Sequence, residues 1–305
     1  MPTDDNKFHS NRLPILALSL SSLFWSGNFI VGRALRDEMQ ALTLNYWRWL
    51  IALLIILPFS ITQTRTHAQA IKRHWFFLGV LSVTGIVGFH LCVYQALHTT
   101  TAINALLFLS ISPLIIIVAS RIAYKDKINI WQIVGIFISL IGVLVLLNRG
   151  DLARLRSLVF NIGDLWMLGA VLLWSVYSVV LKRKPAPLTQ LALLNSSMAI
   201  GVIIMTPFYL ISITGNIGFA ITLANLSGLM YISLFASLVA YFCWNYGVSQ
   251  LGPNSAGGFL HLMPLFGAIL SVLLLDEGIH VYHLIGAAFI ATGLTLSNRS
   301  KAKSP

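Results

Sequence analysis

Apolar residues come in long unbroken runs, separated by short clusters of polar and charged residues, Gly and Pro. Taken between those breakers, the runs predict helices near Leu13–Gly32, Leu42–Ile61, Trp75–Ala96, Ala102–Ile122 and Ile130–Leu147. A second set follows near Ile162–Leu181, Thr189–Ile211, Leu226–Val248, Ser255–Leu275 and Tyr282–Ser297. A helix needs roughly 20 apolar residues to cross the hydrocarbon of a bilayer. Barrel strands would alternate apolar and polar positions, and these runs do not. The expected fold is an all-α integral membrane protein with ten transmembrane helices.

Composition narrows the class further. Of 305 residues, 57% are hydrophobic and 10% charged, whereas a soluble domain carries about 25% charged residues. A soluble enzyme is excluded, and so is a disordered chain, which lacks this much apolar surface. The net charge of +11 does not point to nucleic acid, because Lys and Arg fall in twos and threes between apolar runs, as the positive-inside rule leaves them. With the N-terminus inside, fourteen of the 20 Lys and Arg fall on the inner side. Five fall outside (Arg33, Arg36, Arg149, Arg154, Arg156), and Arg48 lies within a span. Both termini are expected to face the cytoplasm. Cys92 and Cys243 lie in apolar runs and read as buried side chains rather than a disulfide or metal site. No small-residue cleavage site follows the first run, so no detachable signal peptide is expected.

The chain repeats itself. Shifted by 151 positions, Ala105 meets Ala256, Phe108 meets Phe259, Leu109 meets Leu260 and Pro113 meets Pro264. Asp126 then meets Glu277, Gly135 meets Gly286 and Gly142 meets Gly293. At a similar offset Phe24-Trp25-Ser26 answers Leu173-Trp174-Ser175. Five helices per module is an odd number, so the two modules must insert with opposite orientations. The expected organisation is a tail (1–12), a first five-helix module (13–147), a connector (148–161), a second five-helix module (162–298) and a tail (299–305). Inverted repeats are a signature of alternating-access transporters, with substrate held between the halves.

With these features the chain resembles the EamA-type carriers of the drug/metabolite transporter superfamily over about 13–298. The resemblance is carried by Trp25-Ser26-Gly27-Asn28-Phe29, by Arg48 within Tyr46-Trp47-Arg48-Trp49-Leu50-Ile51-Ala52, and by Tyr94-Gln95-Ala96-Leu97. The paired Pro113 and Pro264 and the paired endings Asp126…Gly135…Gly142 and Glu277…Gly286…Gly293 complete it. Where the family commonly has Glu in the first module, this chain has Asp126. The resemblance implies ten helices around a central cavity, alternating access, and export of an amino acid or related small metabolite across a bacterial inner membrane. It implies a small-molecule substrate, a lipid surround and a monomer. Import, exchange, a channel and a membrane-embedded enzyme are the competing readings. Against the last, there is no HExxH, no GxSxG and no phosphate-cradling loop. Neither catalysis nor a cofactor or metal is expected.

Each candidate residue carries two readings. Arg48 is either a cationic contact for a substrate carboxylate or gate, or a structural Arg satisfied by helix-end carbonyls or by snorkelling. Trp25 with Asn28, and Trp174 with Tyr177, are each three apart and share a helix face. They either line a cavity or pack helix on helix. His90 and His261 either carry a proton or contact substrate, or are satisfied packing residues. Tyr94 and Tyr241 are cavity candidates, whereas Trp244 and Tyr246 read as members of an interfacial aromatic belt. Ser110 and Ser112 are placed to take up a carbonyl freed by Pro113. Pro113 and Pro264 either unwind backbone for substrate or gating, or merely kink their helices. Gly135, Gly142, Gly286 and Gly293 read as faces for close helix approach. Buried carboxylates for a proton relay are missing.

Overall fold

A computed structural model describes residues 4–151, 161–213, 217–275 and 280–299. Arg154, Arg156, most of the 148–161 connector, Asp276, Glu277, Lys301 and Lys303 lie outside the described residues. Helices account for nearly all of the described chain, and among the described residues there is no strand.

The helices in chain order are α1 (Asp4–Ala34), α2 (Ala41–Thr66), α3 (Trp75–Thr99), α4 (Ala102–Leu109 and Ser112–Tyr124) and α5 (Ile130–Leu147). There follow α6 (Ile162–Leu181), α7 (Gln190–Ser212), α8 (Leu223–Leu251), α9 (Pro253–Leu275, with a tight turn at Phe259–His261) and α10 (Val281–Arg299). A short exposed helix, Ala68–Arg73, joins α2 to α3. Eight of these helices, α1 to α8, are long and apolar enough to cross a membrane. α9 is broken near its start and α10 has a shorter apolar stretch, Val281–Ser297. Large apolar side chains stand exposed on the outer faces, among them Phe59, Ile122, Ile203 and Leu284. In water such a surface would drive association; against lipid it is the expected exterior.

Caps explain where several helices begin. Thr101, Thr189 and Thr222 each accept from a backbone N–H three residues on, and Asn129 accepts from Trp131 N. Asn161 and Asp164 form a reciprocal capping box at the start of α6. These side chains satisfy donors that no earlier helical turn can reach. α4 is not one continuous helix as its apolar run predicts. It stops at Leu109 and restarts at Ser112, with Pro113 in the new first turn, where its missing N–H costs nothing. Pro264 likewise sits in the first turn of Leu262–Leu275. Both prolines therefore mark restarts rather than mid-helix kinks.

Helix pairing follows the repeat. α1 packs on α8 and α9 as α6 packs on α3 and α4, while α2 pairs with α7 and α5 with α10. The α5–α10 contact is built on the four paired glycines. A Cβ added at Gly135 would lie 2.5 Å from the carbonyl oxygen of Gly293, and one at Gly142 would lie 2.7 Å from that of Gly286. Gly135 also abuts Ser297 while Gly286 abuts Leu146, and Gly293 abuts Ser139 while Gly142 abuts Ile290. Every contact in this set turns into another member of it when each residue is replaced by its repeat counterpart. That is the mark of two halves related by an approximate two-fold axis.

Candidate functional site

Residues that touch their own repeat counterparts must lie on that axis, and three such pairs meet in the core. Trp25 of α1 and Trp174 of α6 pack edge to face, with ring centroids 5.0 Å apart. His90 of α3 and Tyr241 of α8 are 151 positions apart, and His90 Nδ1 lies 3.5 Å from the Tyr241 hydroxyl. Ser110 and His261, also 151 apart, are joined from His261 Nε2 to the Ser110 carbonyl at 2.8 Å. That carbonyl is free because α4 breaks there. All six residues are buried.

Two wide π turns, Ser82–Gly88 in α3 and Ile232–Val239 in α8, prepare the backbone around this axis. Such turns present carbonyls that a regular helix would hold in its ladder, and they occur often at functional sites. The Ala236 carbonyl accepts both Trp25 Nε1 (3.0 Å) and Arg48 Nη2 (3.2 Å). The Gly85 carbonyl accepts the Tyr241 hydroxyl. Gly85 and Ala236 are themselves counterparts. Gly85 is needed as glycine because a Cβ there would fall within the Tyr177 ring. The apolar pattern of α3 and α8 gives no sign of either wide turn.

Side-chain chemistry repeats with its members exchanged. The Tyr94 hydroxyl donates to Asn28 Oδ1 at 2.9 Å, between α3 and α1. The Tyr177 hydroxyl donates to Asn245 Oδ1 at 2.6 Å, between α6 and α8. Tyrosine and asparagine have traded helices, yet the bond is the same.

Arg48 is fully buried. Nε donates to Ser237 Oγ at 2.8 Å, and Nη1 donates to Tyr94 Oη at 2.5 Å and to Asn28 Oδ1 at 3.3 Å. The guanidinium also lies 5.1 Å from the Trp49 ring centroid and 5.7 Å from that of Tyr94. The residue is not snorkelling. It is satisfied by one π-turn carbonyl and by neutral side chains, and its charge meets no carboxylate among the described residues. Burying an ion costs several kcal/mol even after relaxation, and here hydrogen bonds and ring faces alone offset it.

A cavity of about 10 Å³, room for about one water, lies on the axis. It is lined by Trp25, Asn28, Phe29, Phe89, His90, Leu109, Trp174, Leu260 and Met263. Of the sequence candidates, Trp25, Asn28, His90 and Trp174 reach its wall. Tyr94, Tyr177 and Tyr241 stand one layer behind, as does Arg48 behind Asn28. The Ser110 hydroxyl is taken by the Leu106 carbonyl of its own helix, and Ser112 Oγ has no partner. Pro113 packs below the cavity against Gly257. Pro264 lines a different space, a cleft of about 180 Å³ shared with Phe29, Ile30, Leu106, Arg149 and Tyr282. Trp244 is fully buried and packs on Trp25 and Trp174 at 5.4 and 5.3 Å. It belongs to the central aromatic cluster and not to an interfacial belt. Trp49, 5.0 Å from Tyr241, and Asn245, the partner of Tyr177, join the cluster without any sign in the apolar pattern of their helices. The Leu109/Leu260 pair was visible in the repeat but carries no polar atom to draw notice.

The cleft opens where α1 and α5 end and α4 and α10 begin. At the opposite end the two modules are tied together. Lys182, just after α6, donates to both carboxylate oxygens of Asp126, just after α4, at 2.7 and 2.5 Å, and Ser120 adds a third bond at 2.9 Å. The Tyr124 ring meets the charges of both Lys182 (4.8 Å) and Arg183 (4.6 Å), and its hydroxyl donates to the Val179 carbonyl. Partial burial works to raise the Asp126 pKa. The hydrogen bonds from Lys182 and Ser120 and the Lys182 charge together outweigh that and hold it below the usual carboxylate value.

Fold and centre together define a multi-pass helical membrane protein whose two repeated halves share one buried polar-aromatic core. Residues 12–148 and 161–299 each match the EamA-like transporter family, and the chain belongs to that family. It is 27% identical over 286 residues to an uncharacterized transporter of Archaeoglobus fulgidus, covering 92% of this chain and 96% of that one. It is 26% identical to the uncharacterized transporter YyaM of Bacillus subtilis, covering 81% of each. To the uncharacterized inner membrane transporter YicL of Salmonella typhimurium it is 22% identical, covering 97% and 99%. A protein of known crystal structure superposes with a TM-score of 0.73 at 17% identity, over 95% of this chain and 99% of the other, a likeness of fold.

Proposed function

We propose that this chain is a secondary transporter that moves a small metabolite across the bacterial inner membrane by alternating access. Its ten helices form two inverted five-helix modules, 13–147 and 162–298, with both termini cytoplasmic. The substrate is an amino acid or related compound, and the direction is export. The observation that carries this reading is the set of counterpart contacts along one axis, with an open cleft toward one end and an ion pair bridging the modules at the other. Two similar halves meeting at a shared centre can rock about it, exposing the centre to either side. The positive-inside count places the Asp126–Lys182 pair at the cytoplasmic end. On that orientation, the ion pair at the inner end and the cleft at the outer end support a carrier closed inside and partly open outside.

The test is purified protein reconstituted into liposomes with a panel of amino acids and organic acids. Saturable uptake, accelerated by unlabelled substrate on the far side, is expected. Flux of no panel member above empty-vesicle leakage would refute the proposal.

A further inference from the structure

We infer that the central site takes a small carboxylate-bearing monoanion with an aromatic or branched apolar body, in preference to a zwitterionic amino acid. This rests on the transporter reading above and, within its substrate class, takes a related carboxylate in place of the amino acid itself. The argument begins with charge. Arg48 is the one formal charge in the central cluster among the described residues, and all of its partners are neutral. α7, which pairs with α2 across the repeat, contains no charged residue, so that helix supplies no opposite charge. A monoanion would neutralise the site, whereas a zwitterion would leave it at its present charge and bring an ammonium with no carboxylate to meet.

The free polar atoms agree. Asn28 Oδ1 is occupied by Arg48 and Tyr94, so what Asn28 has left for the cavity is its NH₂, a donor. Trp174 Nε1, on the same wall, has no partner and can only donate. His90 Nε2 is also unpartnered. Tyr241 spends its proton on Gly85, so its oxygen can only accept from His90 Nδ1. Two donors backed by a guanidinium suit a carboxylate, and the indole faces of Trp25 and Trp174 suit a flat or branched apolar body. Entry requires one wall to turn. Trp25 is tied to the Ala236 carbonyl, but Trp174 is held by ring contacts alone. The Trp174 ring is the one that moves.

The experiment uses the full chain in detergent and four probes that differ in charge: phenylacetate, phenylalanine, phenethylamine and sodium chloride. Binding is read by intrinsic Trp fluorescence and by displacement. Phenylacetate is expected to bind at least tenfold tighter than phenylalanine or phenethylamine, with Trp174→Phe and Arg48→Gln each weakening it tenfold or more. The charge series on the unmodified chain stands even where Arg48→Gln fails to fold. Phenylalanine or phenethylamine binding as tightly as phenylacetate would overturn the inference, as would binding of none of the four. Chloride alone displacing phenylacetate at equal concentration would assign the site to inorganic anions and overturn it too. In liposomes, flux of amino acids without flux of carboxylates would defeat this inference and leave the transporter reading intact. Flux of neither would defeat that reading itself.

Discussion

Replacing Gly135 with Ala tests whether the α5–α10 contact holds the two modules together. The new Cβ would lie 2.5 Å from the Gly293 carbonyl oxygen, 2.6 Å from Ser297 N and 2.9 Å from Ser297 Cβ. Two of these atoms are backbone inside a helix and cannot step aside. Ordinary carbon contacts begin near 3.5 Å, so the helices must part by about 1 Å here. Overpacking of this kind costs about 1–3 kcal/mol. The helix propensity of Ala over Gly returns about 1 kcal/mol, so the net loss is about 0–2 kcal/mol. The matched control is Gly79→Ala, because Gly79 is helical and nothing lies within 4 Å of its added Cβ. There the propensity gain stands alone. Gly293→Ala probes the same contact from the other side, since its Cβ would strike the Gly135 carbonyl. The double variant should therefore lose less than the two single losses combined. Thermal unfolding in detergent should show Gly135→Ala at or below the parent and Gly79→Ala at or above it. If Gly135→Ala unfolds no lower than Gly79→Ala, the close approach is not supporting the interface and the reasoning fails.

Three further outcomes follow from the same geometry. Tyr177→Phe removes the donor to Asn245 Oδ1, and Asn245 Nδ2 already lacks a partner; the variant should lose about 1–3 kcal/mol in denaturant unfolding, and Tyr177→Phe with Asn245→Leu should recover part of it. Asp126→Asn removes a partly exposed ion pair worth about 0.2–1 kcal/mol, so its unfolding temperature at neutral pH should fall only slightly. Because the Asp126 pKa is lowered in the fold, its stabilisation is present above the usual carboxylate pKa and disappears as pH falls through the lowered value; the parent should lose stability over that acid range and Asp126→Asn should lose less, a difference that equal acid sensitivity would refute. Arg48→Lys keeps the charge but cannot reach Ser237, Asn28, Tyr94 and the Ala236 carbonyl together, so it should fall well below the parent in thermal stability, and an unchanged melting curve would show that the fork is not needed.

Helix positions and the repeat were legible because bilayer thickness and close packing write themselves into sequence directly. Apolar runs between breakers placed most helices within a few residues, and the ungapped glycine register pointed to the α5–α10 contact. What was not legible depends on backbone detail. The run from Ala102 to Ile122 looks continuous, and only the structure shows the break that frees the Ser110 carbonyl for His261. The π turns in α3 and α8 have no compositional sign, since an extra residue per turn changes hydrogen bonding and not hydropathy. Trp244 illustrates a third kind of failure. Aromatics near helix ends and aromatics in a core look the same in sequence, and only its contacts with Trp25 and Trp174 assign it.

The halves are alike in backbone and unlike in chemistry, and that difference bears on function. Matched π turns, matched helix breaks and matched tyrosine–asparagine bonds give each half the same local backbone features at the centre. If the chemistry were equally matched, a ligand at the axis would see two equivalent orientations. Arg48 has no charged counterpart on α7, and the guanidinium reaches the axis through Asn28 on the first module's side alone. Trp25 is anchored by a hydrogen bond while its counterpart Trp174 is not. One side of the centre is therefore hydrogen-bonded and charged, and the other is neutral and held by ring contacts. On the proposed alternating-access reading, a two-fold frame rocks between two states of similar energy, and a one-sided charge would give a ligand a single orientation in both. Moving the charge from α2 to α7 should cost stability unless the Ser237 and Ala236 acceptors find equivalents near Gly85, because those acceptors belong to the α8 turn facing α2.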